Sequence, residues 1–154
     1  MIRVVVDTNV FINGIFKNND FCKAIFNLKS LNKIKFVMNK EMNNELLFTF
    51  ARILLISYSK INEDISNLVP LMATLSKCLW KVEEIDHIIH TNYCTADKSD
   101  NKFIDCCIDG GVKYLITQDV HINSASAHLK KDGYNIEIYS PMQFYIAYKR
   151  HKLI

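Results

Sequence analysis

The sequence predicts an α/β fold in which helices cover both faces of a parallel sheet. The chain opens with the β-branched run Ile2–Val6, which is typical of a strand buried on both faces. Further apolar strand candidates alternate with segments whose apolar residues recur at helical spacing. With only 4 glycines and 2 prolines there is little room for flexible linkers, so residues 1–154 are expected to form one domain.

The remaining elements follow in order along the chain. Further strands are predicted at Ile34–Met38, Trp80–Val82, Tyr114–Thr117 and Asn135–Tyr139. Helices are predicted between and after them, at Phe21–Leu31, Lys40–Ser59, Glu63–Leu79, Lys102–Ile108, Ile122–Lys131 and from Pro141 onward. Parallel strands joined through helices imply right-handed crossovers.

Several helix ends carry sequence signals. Asp20 is expected to cap the first predicted helix, and Asn39 the long helix that starts at Lys40. Pro70 should kink or split its helix, because it removes a backbone donor and clashes with the preceding turn. The other signals are the glycine stops Gly110-Gly111 and Gly133, and the N-cap and first helical residue Ser140-Pro141.

Charge and cysteine usage bound the class of protein. The net charge of +3 is too small to indicate a nucleic-acid partner by itself. The 5 cysteines are odd in number and form no CxxC pair, so free thiols in a reducing cytoplasm are expected. No apolar run approaches the ~20 residues that a membrane-spanning helix needs. A cytoplasmic protein with no membrane association is therefore predicted.

Four acidic residues are predicted to lie toward one edge of the sheet. Asp7 and Asp119 follow strands directly or nearly so, Asp100 precedes the helix that leads into the strand at Tyr114, and Glu45 lies early in the helix after the second strand. In open parallel sheets, functional residues gather beyond the carboxyl ends of the strands. The sequence therefore predicts an acidic site at that edge.

Crowded carboxylates repel one another, and a divalent cation such as Mg²⁺ or Mn²⁺ would offset that cost. Such a site suits phosphodiester hydrolysis, because the metal lowers the pKa of an attacking water and stabilises charge on the phosphate. Taken singly, each residue has another interpretation. Asp7 could instead be a helix N-cap, and Glu45 a solvated helix residue. The order and spacing of the set favour the metal site.

The same residues carry a family resemblance. The runs Val5–Val10, Asn44–Leu46, Asp97–Phe103 and Tyr114–Asp119 resemble, in this order, the motifs of the PIN domain. The resemblance extends from residue 1 to about residue 145 and is strongest to the bacterial branch of toxins from toxin–antitoxin pairs, similar to the VapC toxins. The sequence departs from that pattern at Lys98-Ser99, in place of a proline-containing turn, and at Gln118, in place of a small residue.

The resemblance implies a three-layer sandwich, with a parallel sheet of about five strands between helices. It also implies an endoribonuclease that uses Mg²⁺ or Mn²⁺ to cut RNA. The implied metal ligands and catalytic residues are Asp7, Glu45, Asp100 and Asp119, with Asn9 and Thr117 as supporting polar residues.

Other polar residues have a simpler interpretation. Asp97 is expected to form a turn or cap, and Asp105 lies about 140° around the helix from Asp100, which is too far to share its metal easily. Arg52 and Lys102 could contact substrate or form ordinary ion pairs. His87-to-His90 spacing would suit zinc on a helix, but these histidines fall in a predicted loop without a cysteine partner, so no zinc site is expected.

Two other functions remain open. The first is a non-catalytic PIN module that binds RNA or a protein, against which the presence of all four acids argues. The second is an Asp-based phosphatase or phospho-accepting receiver, which is disfavoured because Asn9 occupies the position where the phosphatase needs a second Asp. The expected partners are RNA, an antitoxin and a second copy of the chain in a homodimer. An apolar groove within residues 41–79 is the hypothesised docking surface.

Overall fold

The computed structural model describes residues 1–60 and 68–153. The strands are β1 Ile2–Val6, β2 Ile34–Asn39, β3 Glu83–Ile85, β4 Tyr114–Ile116 and β5 Glu137–Tyr139. The α-helices are α1 Thr8–Ile15, α2 Asp20–Ser30, α3 Lys40–Lys60, α4 Leu68–Leu79, α5 Asn101–Asp109, α6 Val120–Ser124, α7 Ser126–Lys131 and α8 Pro141–Lys149. A short 3₁₀ turn at Lys98–Asp100 precedes α5.

The five strands form one parallel sheet in the order β3-β2-β1-β4-β5. Val4 to Val6 of β1 and Tyr114 to Ile116 of β4 are buried, as expected of central strands covered by helices on both faces. The predicted α/β sandwich with a five-stranded parallel sheet is confirmed. Because every strand runs the same way, the residues that follow β1, β2 and β4 meet at one edge of the sheet.

The helix caps confirm two predictions and correct one. The Asn39 side chain accepts a hydrogen bond from the Met42 amide at 2.9 Å, and Ser140 forms a capping box with Gln143. The cap of α2 is Asn19 and not Asp20. Asn19 has the extended backbone of an N-cap and its side chain accepts from an amide of the first turn, whereas Asp20 is already helical.

Two predicted elements differ from the structure. The strand predicted at Trp80–Val82 is instead a turn, in which Lys81 has a positive φ, and the strand follows at Glu83–Ile85. The helix predicted at Ile122–Lys131 is two short helices that meet at Ala125. The Ser124 hydroxyl donates to the His121 carbonyl at 2.6 Å, a local bond that competes with a continuous helix.

The glycine pair after α5 provides the predicted left-handed stop, whereas the proline in α4 does not split the described part of its helix. Only Gly111 is left-handed, with φ of +57°, while Gly110 keeps φ near the helical range. Within the described residues, α4 runs without interruption from Leu68 through Pro70 to Leu79, so Pro70 does not split the helix there. The start predicted for this helix at Glu63 lies outside the described residues.

One hydrophobic core lies on both sides of β1, β2 and β4. All five cysteines are free thiols buried in it, as the sequence predicted. Burial raises the pKa of Cys106 to about 12, which leaves this thiol protonated and unreactive at neutral pH. No helix in the described ranges is long and apolar enough to span a membrane.

Candidate metal centre

Asp7 lies at the junction of β1 and α1, with only 2% of its surface exposed. One carboxylate oxygen accepts a hydrogen bond from the Asn9 amide at 3.0 Å and so caps α1. The other oxygen accepts from the Thr117 hydroxyl at 2.6 Å. Asp7 is therefore an N-cap, the simpler of its two interpretations. Capping does not exclude metal binding, because each carboxylate oxygen can accept more than one interaction.

Asp119 follows β4 and occupies the equivalent place in front of α6. Its carboxylate accepts from the His121 amide at 2.6 Å, while its own amide donates to the Thr117 hydroxyl at 2.9 Å. Thr117 is fully buried between the two aspartates and is bonded to both. The hydroxyl thus fixes the ends of two neighbouring strands relative to each other. Each carboxylate also lies at a helix N-terminus, where the helix dipole favours negative charge.

Asp100 approaches the same edge of the sheet from the 3₁₀ turn before α5. It stands at the N-cap position of α5, but its side chain makes no capping hydrogen bond. Burial is the main cause that raises the pKa of Asp100 to about 6, followed by the negative charges of Asp97, Asp119 and Asp7. Lys102 opposes this shift. Asp100 therefore lies near other acids, and its side chain makes no capping hydrogen bond that would give it a structural role.

Glu45 lies on α3, two turns into the helix, and forms an ion pair of 2.5 Å with the Lys102 ammonium. Lys102 is only 4% exposed, and its ammonium also donates to the Ser99 carbonyl at 2.6 Å and lies 4.6 Å from the centre of the Phe103 ring. A buried ammonium is stable only when it is paired. Lys102 is therefore an internal counter-charge of the acidic site, and neither an exposed substrate contact nor a surface ion pair.

The pKa of Asp7 reflects both its burial and the charges of its neighbours. Burial raises the pKa of the Asp7 carboxyl, the hydrogen bonds from Thr117 and Asn9 lower it, and the charges of Asp119 and Glu45 raise it again. The four acids are therefore electrostatic neighbours. In the described part of the chain, however, no three of them bring one oxygen each within 4.8 Å of one another. The structure gathers the four residues at one edge without closing them on a single point.

The donor set fits a hard divalent cation. It consists of carboxylate oxygens, which Mg²⁺ and Mn²⁺ prefer, and the wide spacing leaves room for the several waters that Mg²⁺ keeps. Burial is the main reason that the pKa values of Asp7 and Asp100 are raised, and the negative charges of neighbouring acids raise them further. A bound cation would offset that repulsion.

Other candidate residues are distributed around this centre. The Asn9 side chain is exposed, and its amide rather than its side chain is the group bonded to Asp7. Asp97 is an exposed cap whose carboxylate accepts from the Ser99 hydroxyl and amide, and these bonds lower its pKa. Arg52 is exposed on α3. Asp105 faces away from the centre, toward His87.

The sequence left an ordinary ion pair open for Lys102 but did not indicate that this lysine is buried within the acidic site. Lys102 lies two residues after Asp100, in a run of buried α5 residues. This position could have indicated an inward-facing lysine. A lysine on the buried face of a helix beside acids is more often a partner of those acids than a surface residue.

Four acidic side chains, of which Asp7 is buried, lie toward the carboxyl edge of a five-stranded parallel sheet, so this chain is an α/β protein with an acidic cluster at that edge. A family model described as the PIN domain matches residues 3–121. The chain therefore belongs to the PIN domain family, whose members are generally nucleases that use divalent metals.

A solved structure supports the fold. The chain is similar to a structure described as the crystal structure of VapBC2 from Rickettsia felis bound to a DNA fragment from their promoter, with a TM-score of 0.51. The match covers 90% of this chain and 98% of that one, at 15% sequence identity. A comparison with curated proteins finds no sequence match.

Proposed function

We infer that this protein is a metal-dependent endoribonuclease that hydrolyses phosphodiester bonds in RNA. The observation that carries the proposal is Asp100. Its carboxyl has no capping bond, and its pKa is raised to about 6 by burial and by the surrounding acids. Structural acids usually have a depressed pKa because they accept hydrogen bonds or pair with cations. An acid kept under repulsion at the ligand edge of an α/β sheet is typical of a functional site.

Asp7, Glu45, Asp100 and Asp119 are the proposed ligands of Mg²⁺ or Mn²⁺ and the catalytic residues. When bound, the metal would supply an activated water and stabilise the charge that develops on the phosphate. Asp7 provides the most rigid part of the site, because Thr117 and the Asn9 amide fix both of its oxygens. Asn9 and Thr117 therefore act as supporting residues, and Thr117 positions Asp7 and Asp119 together.

Lys102 supports the site in another way. Its ammonium holds Glu45 at 2.5 Å and is itself anchored on the Ser99 carbonyl, in the turn that leads to Asp100. The bond network of this one side chain thus joins α3 to the N-terminal end of α5. We expect it to keep Glu45 near the other acids while the metal is absent.

The test is cleavage of a mixed pool of labelled RNA in Mn²⁺. Asp7→Asn should lower the cleavage rate by at least about 100-fold. Loss of a group that only orients a metal ligand costs up to about 100-fold, and loss of the ligand itself should cost no less. Asp132→Asn is the matched control. Asp132 is the exposed C-cap of α7 and accepts a hydrogen bond from the Tyr93 hydroxyl, which an amide oxygen can also accept. If Asp7→Asn cleaves as fast as Asp132→Asn, the proposal is wrong.

A non-catalytic module that binds RNA or a protein is the second candidate. Two observations favour it. Glu45 is already ion-paired with Lys102, and in the described chain no three of the four acids bring one oxygen each within 4.8 Å of one another. The two candidates differ in metal binding. Calorimetric titration with Mg²⁺ should show binding for the nuclease. RNA binding without metal binding or cleavage would favour the module.

We further propose that the nuclease is the toxin of a toxin–antitoxin pair. The similar Rickettsia felis structure is described as a VapBC2 complex, which suggests an antitoxin as partner. A groove of about 550 Å³ between α3 and α4 offers an apolar docking surface. Within it, Met72 is 57% exposed and Trp80 69% exposed. An amphipathic antitoxin helix is the occupant that such a groove suits.

Met72→Glu tests this docking surface in size-exclusion experiments with the protein encoded by an adjacent small reading frame. The wild-type chain should form a complex that Met72→Glu loses. If Met72→Glu instead dissociates a homodimer, the groove serves self-association, as in the homodimer expected from the resemblance. A strict monomer with no complex would refute both uses.

An RNA substrate and the five free thiols are in keeping with a cytoplasmic site of action.

A further inference from the structure

A second cluster of metal-ligating side chains lies one helical turn away from the acidic site. It consists of His87 and His90, from the segment between β3 and α5, and Asp105 from α5. One ligand atom from each of these residues lies within 4.8 Å of the others. Within residues 1–60 and 68–153, no other group of three histidine, cysteine or acidic side chains meets this spacing. We propose that His87, His90 and Asp105 form a structural site for a first-row transition metal, with Zn²⁺ as its natural occupant.

The spacing of His87 and Asp105 fits zinc coordination directly. The His87 Nε2 atom lies 3.2 Å from the Asp105 Oδ2 atom. Two donors bound to one tetrahedral zinc at about 2.0–2.1 Å lie about 3.3 Å apart. These two side chains can therefore bind one ion with hardly any movement. The ring centre of His90 lies 4.5 Å from that of His87, and since His90 is exposed, rotation of its side chain can bring in the third donor.

The atoms around the cluster leave the proposed ligand atoms available. Glu41 of α3 lies 3.0 Å from the other ring nitrogen, Nδ1, of His87. A metal-binding histidine almost always donates its second ring proton to such a carboxylate or carbonyl, which orients the ring. On Asp105, the Thr91 amide and hydroxyl both donate to Oδ1, at 3.0 and 2.6 Å. Asp105 Oδ2 accepts from neither group and is paired with His87 Nε2 at 3.2 Å, a direct contact that an ion bound to both atoms would replace.

The donor chemistry separates this site from the acidic centre. Two imidazoles and one carboxylate favour zinc and similar transition metals, whereas Mg²⁺ prefers oxygen ligands alone. Three protein ligands leave a fourth position for water. The expected contribution is to stability, since the ion would tie the segment after β3 to α5.

The location of the cluster explains what an ion there would stabilise. Residues 86–97 connect β3 to the 3₁₀ turn without forming a helix or strand. Their backbone is held to α5 by Asp109, which accepts from the Ile88 and Ile89 amides, and by Asn101, which exchanges two hydrogen bonds with Cys94. Zinc would add a link from this segment to α5 and, through Glu41, to α3. The same two helices carry the ion pair of the acidic site, because Glu45 lies on α3 and Lys102 lies on α5.

The sequence does not predict this site, because its third ligand lies on a different element. The two histidines fall in a segment without secondary structure, as expected, and no cysteine accompanies them. Asp105 is 15 residues after His90 in the sequence. The two side chains come together only because of the path that residues 91–100 take to α5. Spacing rules for zinc motifs do not cover this arrangement.

The test uses the full chain in saturating Mg²⁺, which occupies the acidic centre. Zn²⁺ should raise the midpoint of thermal unfolding, and Co²⁺ should give the visible absorption of a tetrahedral site at one ion per chain. His90→Ala should lose at least about 100-fold in Zn²⁺ affinity and Glu41→Gln about 10- to 100-fold. His90 is exposed and outside the packed core, so His90→Ala should keep the wild-type midpoint when zinc is absent. His128→Ala, an exposed histidine of α7, is the matched control.

The alternative is that His87 merely bridges Glu41 and Asp105 through its two ring nitrogens. In that case Zn²⁺ leaves the unfolding midpoint of the wild type unchanged, and His90→Ala binds Zn²⁺ no differently from His128→Ala. Either result overturns the proposal. Neither depends on RNA cleavage, so the zinc site and the proposed nuclease function stand or fall separately.

Discussion

Thr117 is the residue whose replacement tests the architecture of the acidic site most sharply. It is fully buried, and its hydroxyl donates to Asp7 at 2.6 Å and accepts from the Asp119 amide at 2.9 Å. Thr117→Val keeps the shape of the side chain and removes both bonds. Thr117→Ser keeps the hydroxyl and removes only a methyl group, which makes it the matched control.

The expected cost follows from the two lost bonds. A hydrogen bond to a charged group is worth about 1.5–3 kcal/mol, and a buried amide left without a partner costs about 1–3 kcal/mol. Because the two effects share one hydroxyl, we expect Thr117→Val to lower the free energy of unfolding by about 2–4 kcal/mol at pH 7. Thr117 also lowers the pKa of Asp7, so the valine variant should raise that pKa further and bind metal more weakly.

Urea unfolding in the presence of a chelator measures this cost. The unfolding slope should be unchanged, so the difference appears in the midpoint. In an Asp7→Asn background Thr117→Val should cost less, because the charged acceptor is absent. A Thr117→Val variant within about 0.5 kcal/mol of wild type would contradict the reasoning, and so would a Thr117→Ser variant that loses as much.

Two further predictions concern charge. The pKa of Asp100 is raised from 3.8 to about 6 in the folded chain, so the folded state binds the extra proton, and metal-free stability should fall as pH rises through this window and level off above it. Urea midpoints across that range should fall less in Asp100→Asn than in wild type, where Asp7, whose pKa is also raised, contributes in the same direction, whereas parallel profiles would exclude Asp100 as a cause. Metal affinity should rise over the same window, because the ligand must be deprotonated. Lys102→Met should lower the metal-free free energy of unfolding by up to about 3 kcal/mol, since it leaves Glu45 unpaired beside other acids. Mn²⁺ should recover more stability in Lys102→Met than in wild type, and equal stability of the two chains in chelator would refute the role of Lys102 as counter-charge.

The sheet could be predicted from the sequence because its central strands are short β-branched or apolar runs with strong helices between them. Strand β3 could not, because Glu83 and Glu84 have low strand propensity. Glu83 is held in the sheet by ion pairs with Arg3 of β1 and Lys35 of β2, contacts that exist only after the strands align. Helix α1 was also missed, since it opens with Thr8 and Asn9, which are poor helix formers.

That the four acids lie toward one edge of the sheet could be predicted from the sequence, but their detailed geometry could not. The sequence places Asp7 and Asp119 at strand ends, and parallel topology then makes them neighbours. It does not reveal the Thr117 hydroxyl between them or the turn of Lys102 toward Glu45, because both depend on side-chain orientation in the packed chain. The zinc cluster was missed for the same reason, since Asp105 meets His87 only in the fold.

The central claim is that the acids around Asp7 bind a divalent metal. Binding of Mn²⁺ can be measured directly by the loss of its free-ion electron paramagnetic resonance signal. Wild-type protein at pH 7 should bind Mn²⁺, Asp7→Asn should bind it at least about 10-fold more weakly, and His90→Ala should bind it like wild type. Equal Mn²⁺ binding by wild type and Asp7→Asn, or none by wild type, would contradict the assignment of this site.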